Sequence, residues 1–199
     1  MSTIKRKPRT RCYLTMFKQI LQALKHSESE IVFFCEHDVL YTNSHFDFTP
    51  PDKNKFYYNT NVIKLDVSTG NTLKVDDCRQ VSGICVYRDL AIKHYTKRLE
   101  MIESYIKKNG EEKLNSYIRA IGFEPATHNR NERVDDLKSE VWKSKLPIID
   151  IRHDGNLTKT KWKKEQFRNQ KYTKGWTEGG LELIPDGILN QLKGVLNID

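Results

Sequence analysis

A chain of 199 residues, 37% hydrophobic and 30% charged, is long enough to bury a core of its own without metal or disulfide support. No apolar run approaches the roughly 20 residues that cross a bilayer, and no hydrophobic segment follows the charged N-terminus, so the chain reads as cytoplasmic. The formal charge of +8 is concentrated in Lys5, Arg6, Lys7, Arg9 and Arg11 and again in Lys159, Lys161, Lys163, Lys164, Arg168, Lys171 and Lys174. Such patches favour polyanions, either a nucleic acid or the phosphates of a nucleotide. The four cysteines, Cys12, Cys35, Cys78 and Cys85, show no CxxC pairing, and Cys35 and Cys85 lie in apolar runs suited to buried free thiols.

In chain order, residues 1–12 form a basic tail. Tyr13, Phe17, Ile20, Leu21 and Leu24 recur at helical spacing, which predicts an amphipathic helix over 13–26 feeding a strand at Ile31. The apolar run Ile31-Val32-Phe33-Phe34-Cys35 ends directly in Glu36-His37-Asp38, so the acids are expected where a buried strand leaves its sheet. If strand alternation continues through them, His37 points away from its two neighbours. Asp47-Phe48-Thr49-Pro50-Pro51 excludes a regular central strand. Short β runs near 61–67 and 72–76, joined by Ser68-Thr69-Gly70-Asn71, predict a hairpin. Gly83-Ile84-Cys85-Val86-Tyr87 enters a helix with Ala91, Tyr95, Leu99, Ile102 and Ile106 on one face, stopped by Asn109-Gly110. A shorter helix follows around 111–121. Residues 124–146 are polar and weakly periodic, the length of a functional loop or lid. Pro147-Ile148-Ile149-Asp150-Ile151 returns as a strand, Arg152-His153-Asp154-Gly155-Asn156 turns out of it, and a closing helix spans about 186–197. The reading is a single domain over 1–199, with a core at 13–123, the long loop at 124–146 and C-terminal strand and helices at 147–199.

Two strands that each end in potential ligands would bring those ligands together if both open on one side of a sheet. Glu36, Asp38 and His153 would then form an O/O/N site for Mg²⁺ or Mn²⁺ with room for phosphate oxygens. The stretch Phe34-Cys35-Glu36-His37-Asp38-Val39-Leu40-Tyr41, followed by His45-Phe46-Asp47-Phe48, Pro50-Pro51, Phe56-Tyr57-Tyr58-Asn59 and Asn61-Val62, resembles the central part of glycosyltransferases with the GT-A fold found in bacteria and their phages. Gln80-Val81-Ser82-Gly83, Phe123-Glu124-Pro125 with Thr127-His128, and Asp150-Ile151-Arg152-His153 with Asn156-Leu157-Thr158 continue the resemblance in order, over roughly residues 13 to 178.

The resemblance implies an α/β, GT-A-like (Rossmann-like) mixed sheet flanked by helices and a metal-dependent transfer of sugar from a nucleotide-sugar donor. It implies Asp38 as metal ligand, Glu36 as ligand to the metal or the nucleotide ribose, and His153 as the late metal ligand. Gln80, Ser82 and Gly83 fall where acceptor and sugar are met. Asp76, Asp77 and Glu124 are the candidate catalytic bases, and Lys159 and Lys161 would neutralise diphosphate charge. In GT-A domains a nucleotide-binding βαβ portion precedes the acids. Here about 30 residues precede them, so the resemblance also implies an N-terminally truncated fold, with a second chain as one source of the missing half. The positive charge permits a nucleic-acid acceptor, such as modified DNA. Two readings of other classes stand beside this one: a GT-A-like protein without catalysis that binds nucleic acid or a partner, and a metal-dependent phosphoesterase or nuclease in which the same ligands activate water.

Overall fold

The computed structural model describes residues 13–76, 78–125, 138–156, 160–166 and 175–196. It is α/β with two mixed sheets, and the chain divides into two compact units, one from residues 1–32 and 87–137 and the other from 33–86 and 138–199. Each unit is therefore assembled from two stretches of chain. The basic tail and most of the 124–146 segment lie outside the described residues.

Unit 1 is helical. α1 (Tyr13–His26) buries Phe17, Leu21 and Leu24, and α3 (Arg88–Asn109) buries Ala91, Tyr95, Leu99 and Ile102, the stripes read from periodicity. α4 (Leu114–Ile121) adds the buried Ile118. Phe17 packs on Tyr95 and, edge-on, on Phe123, with ring centroids 5.6 and 5.7 Å apart. α3 ends where Gly110 takes φ +70° and its N–H reaches the Ile106 carbonyl, a conformation glycine adopts without strain.

Unit 2 holds the sheets. β1 (Ile31–Phe33), where the chain passes into this unit, heads the order β1-β6-β3-β7, with β3 (Phe56–Asn59), β6 (Ile84–Tyr87) and β7 (Ser139–Trp142). The second sheet runs β2-β8-β4-β5-β9, with β2 (Val39–Leu40), β4 (Val62–Asp66), β5 (Thr72–Lys74), β8 (Ile148–Arg152) and β9 (Thr177–Gly179). The short helix α2 (Asn43–Phe46) follows β2. β4 and β5 form the expected hairpin, whose turn uses Gly70 at φ +72° and the Asp66 side chain as acceptor for Ser68. α5 (Asp186–Leu196) covers the second sheet. Its Ile188 and Leu192 join Ile63, Leu65 and Ile149 in a core where each such side chain contributes about 1.5–3 kcal/mol.

The single sheet expected from sequence is thus two, and a polar knot explains the break. β3 and β7 run parallel, as do β4 and β8, with only Thr60 and Asn61 between β3 and β4. At that bend the buried Asn59 amide donates to Ser144 Oγ (2.8 Å), while its carbonyl oxygen accepts from the N–H groups of Asn61 (3.0 Å) and Ser144 (3.2 Å). Side chains here take hydrogen bonds that a continuous ladder would have used. β1 is also shorter than its apolar run, and its three residues are half-buried. The chain leaves the sheet at Phe34, so Cys35 is exposed, contrary to the expectation of a buried thiol, while Cys85 in β6 is buried as expected.

Candidate functional site

The antiparallel pairing of β2 with β8 sets Val39 opposite Asp150 and Leu40 opposite Ile149, and the Ile151 N–H continues the pairing to the Asp38 carbonyl at 2.8 Å. That register brings the loop after β1 against the exit of β8. The result is a cavity of about 280 Å³ in unit 2, lined by Glu36, His37, Asp38, Asp150, Arg152, His153, Gly155 and Asn156. Glu36, Asp38 and His153, placed together from sequence, share this cavity. The exposed His37 is in its lining as well, and strand geometry ends at Phe33, before the acids.

Asn156 ties the two sides. Its Nδ2 donates to Asp38 Oδ2 (2.7 Å), its Oδ1 accepts the His153 backbone N–H (2.5 Å), and its own N–H reaches the His153 carbonyl (3.1 Å). His153 Nδ1 accepts the Gly155 N–H at 3.0 Å, which assigns the ring proton to Nε2. A Cβ at Gly155 would lie 2.9 Å from His153 Cε1, so this contact needs glycine.

The electrostatics of the cavity are dominated by carboxylates. Asp150, 4% exposed, is held by Arg152 through Nε–Oδ1 (2.9 Å) and Nη2–Oδ2 (3.0 Å) contacts, the two side chains sharing one face of β8 at i and i+2. Burial raises the Asp150 pKa, and the Arg152 and Lys64 charges oppose that rise. Glu36 is exposed as a residue, yet its carboxyl loses enough solvent, and lies close enough to the charges of Asp38 and Asp150, for its pKa to be raised as well. The Ser82 hydroxyl donates to the Glu36 carboxylate and accepts from Gln80 Nε2 (2.7 Å). The Tyr41 hydroxyl accepts the Glu36 N–H (3.0 Å) and donates to the Ser82 carbonyl (3.1 Å).

The other expected site residues are scattered. Gly83 is a packing residue, since a Cβ there would come 2.8 Å from the Asn59 carbonyl. Asp76, half-exposed, pairs with Lys143 at 3.7 Å. Lys161 is exposed, and Asp77 and Lys159 lie outside the described residues. Glu124 belongs to unit 1, where it is 3% exposed and accepts the Tyr95 hydroxyl at 3.0 Å. Sequence reasoning gave no role to Asp150, Arg152, Asn156 or Tyr41. The signal for the first pair was legible, because an acid and an arginine two apart on a strand lie on the same face.

Among the described residues no group of three or more His, Cys, Asp or Glu side chains is gathered as a metal cage. Mg²⁺-type ions are, however, usually held by one or two carboxylates together with substrate phosphates. Glu36 and Asp38, whose cavity carries like charges unbalanced by its one arginine, suit that mode. A histidine that ligates a cation keeps its proton on the other ring nitrogen. The Gly155 contact fixes the opposite assignment, so in this conformation His153 offers a donor. Comparisons with protein-family models, curated proteins and solved structures find no match. No described helix is long and apolar enough to cross a membrane.

Proposed function

We propose that unit 2 is a glycosyltransferase module of GT-A type that takes a nucleotide-sugar donor, with Mg²⁺ or Mn²⁺ as cofactor. The carrying observation is the cavity in which the acids after β1 meet the exit of β8, in a segment whose residues resemble that family. A divalent cation bound there would stabilise the charge developing on the diphosphate leaving group. Glu36 and Asp38 are the carboxylates to hold it. Asn156 fixes the Asp38 carboxylate, and the Gln80–Ser82 pair fixes that of Glu36. His153 Nε2–H and the Arg152 guanidinium donate to phosphate oxygens, Arg152 while remaining in contact with Asp150.

Isothermal titration of a nucleotide sugar in Mn²⁺, with mass spectrometry of donor turnover, tests this. Asp38→Asn should abolish both the metal-dependent heat and turnover while leaving the far-UV spectrum unchanged. Unaltered turnover in that variant would falsify the assignment.

A further inference from the structure

A second cavity of unit 2, about 330 Å³, has Tyr41 in its wall, the residue whose hydroxyl bonds the Glu36 backbone. Its chemistry differs in kind from that of the acid cavity. The described lining residues are all uncharged, in a chain of which 30% of residues carry charge. They include Asn43 and Gln191, both exposed, together with Ser44, Ile188 and Tyr41. Volume and composition match small-molecule sites, in which a few polar groups are set among apolar walls. Amides and hydroxyls both donate and accept, as do the hydroxyls of a sugar, and an aromatic ring with an aliphatic neighbour suits the apolar face of a pyranose.

The exposed Gly187 in its wall leaves room for a side chain. Gly187 lies in the first turn of α5 without a positive φ, and a Cβ there would meet nothing within 4 Å. Glycine inside a helix costs up to about 1 kcal/mol relative to alanine, and no backbone or packing constraint of this fold requires it here.

We propose that this cavity binds a neutral carbohydrate, which makes it the acceptor site of the transferase reading above and commits that reading to a glycan rather than a nucleic acid. Tyr41 is the positioning residue between the two cavities: its hydroxyl holds the Glu36 loop and the residue stands in the wall of the acceptor site.

The test is saturation-transfer NMR on the full chain, without metal or nucleotide, using neutral methyl hexosides and their disaccharides, and oligothymidylate as the polyanionic probe. The wild type should give saturable signals from at least one neutral saccharide. Gly187→Leu, which adds a bulky side chain at the cavity wall and improves helix propensity, should retain or raise the melting temperature while weakening that binding at least tenfold. Gln191→Ala, at an exposed helix position, should weaken it severalfold and serves if Gly187→Leu does not fold. Asp38→Asn should leave it intact. Absence of any saccharide signal in the wild type, survival of the signals in the variants, or loss of oligothymidylate binding in Gly187→Leu would each overturn the proposal. Saccharide binding without Mn²⁺-dependent nucleotide heat would instead sink the transferase reading and leave the cavity assignment standing.

Discussion

The helical unit and the acid cavity of unit 2 treat their polar groups differently. In unit 1 three described groups meet matched partners: Glu124 accepts from Tyr95, Arg98 Nε donates to the Gly122 carbonyl at 3.2 Å, and His94 donates to the Phe123 carbonyl at 2.7 Å. These contacts close the helices over a core. In unit 2 Glu36, Asp38 and Asp150 face one cavity with a single arginine among them, and the pKa of both Glu36 and Asp150 is raised. Satisfied polar groups mark a scaffold, whereas crowded like charges store a demand for a cation or a positively charged ligand, and perturbed titration of this kind clusters at functional sites.

The largest test of that contrast is Arg152→Ala, which leaves the buried Asp150 uncompensated and should cost about 3 kcal/mol in urea denaturation at neutral pH. Replacing both residues, Asp150→Leu with Arg152→Ala, should recover part of the loss. A double variant no more stable than the single one would break the argument. Acid titration comes next. His45 is fully buried, stacks on Trp142 with centroids 5.5 Å apart, and burial lowers its pKa to about 4. Its pKa is higher in the unfolded chain, so the stability tied to its neutral form is complete above about pH 6.5 and declines as pH falls toward 4, by at most about 3 kcal/mol. The raised carboxyls of Glu36 and Asp150 act in the other direction, gaining stability as they protonate. Denaturation curves of wild type and His45→Gln at pH 7.5 and 5 separate the two, and equal pH dependence in both proteins counts against His45.

The smallest effects discriminate best. Glu124→Gln keeps the shape but weakens the charged acceptor of Tyr95, and should cost about 1–2 kcal/mol. Glu36→Gln removes a repelled charge at an exposed position, and should leave stability unchanged or raise it by about 0.5 kcal/mol while abolishing Mn²⁺-dependent turnover. If Glu36→Gln is the more destabilised of the two, the division into scaffold and site is wrong.

Helices were legible because an apolar stripe repeats within a dozen residues, as in Phe17, Leu21 and Leu24. The β4–β5 hairpin was legible because its turn residues are local. β3 was missed because Phe56, Tyr57, Tyr58 and Asn59 are all buried and show no alternation. β7 was missed for the reverse reason: Ser-Glu-Val-Trp is partly exposed and polar, and it is a strand because it pairs with β3 from Phe56↔Ser139 to Asn59↔Trp142. For the site, the ligand types at two strand exits pointed to one cavity, but the exit geometry did not. The reach of β1 depended on where Phe34 leaves the ladder, and Asn156's span to Asp38 crosses 118 positions that no local pattern encodes.

The pairing of β4 with β8, from Val62↔Ile148 to Asp66↔Arg152, joins distant stretches of chain in parallel. Such pairs carry a heavy loop-closure penalty and form slowly, while α1 and α3 need only nearby residues. On dilution from denaturant, helical ellipticity should therefore recover first, and affinity for Mn²⁺ should return only in the slow phase. During that interval the acids after β1 and the histidine after β8 are not yet held together, so the proposed activity should return only with the last pairing.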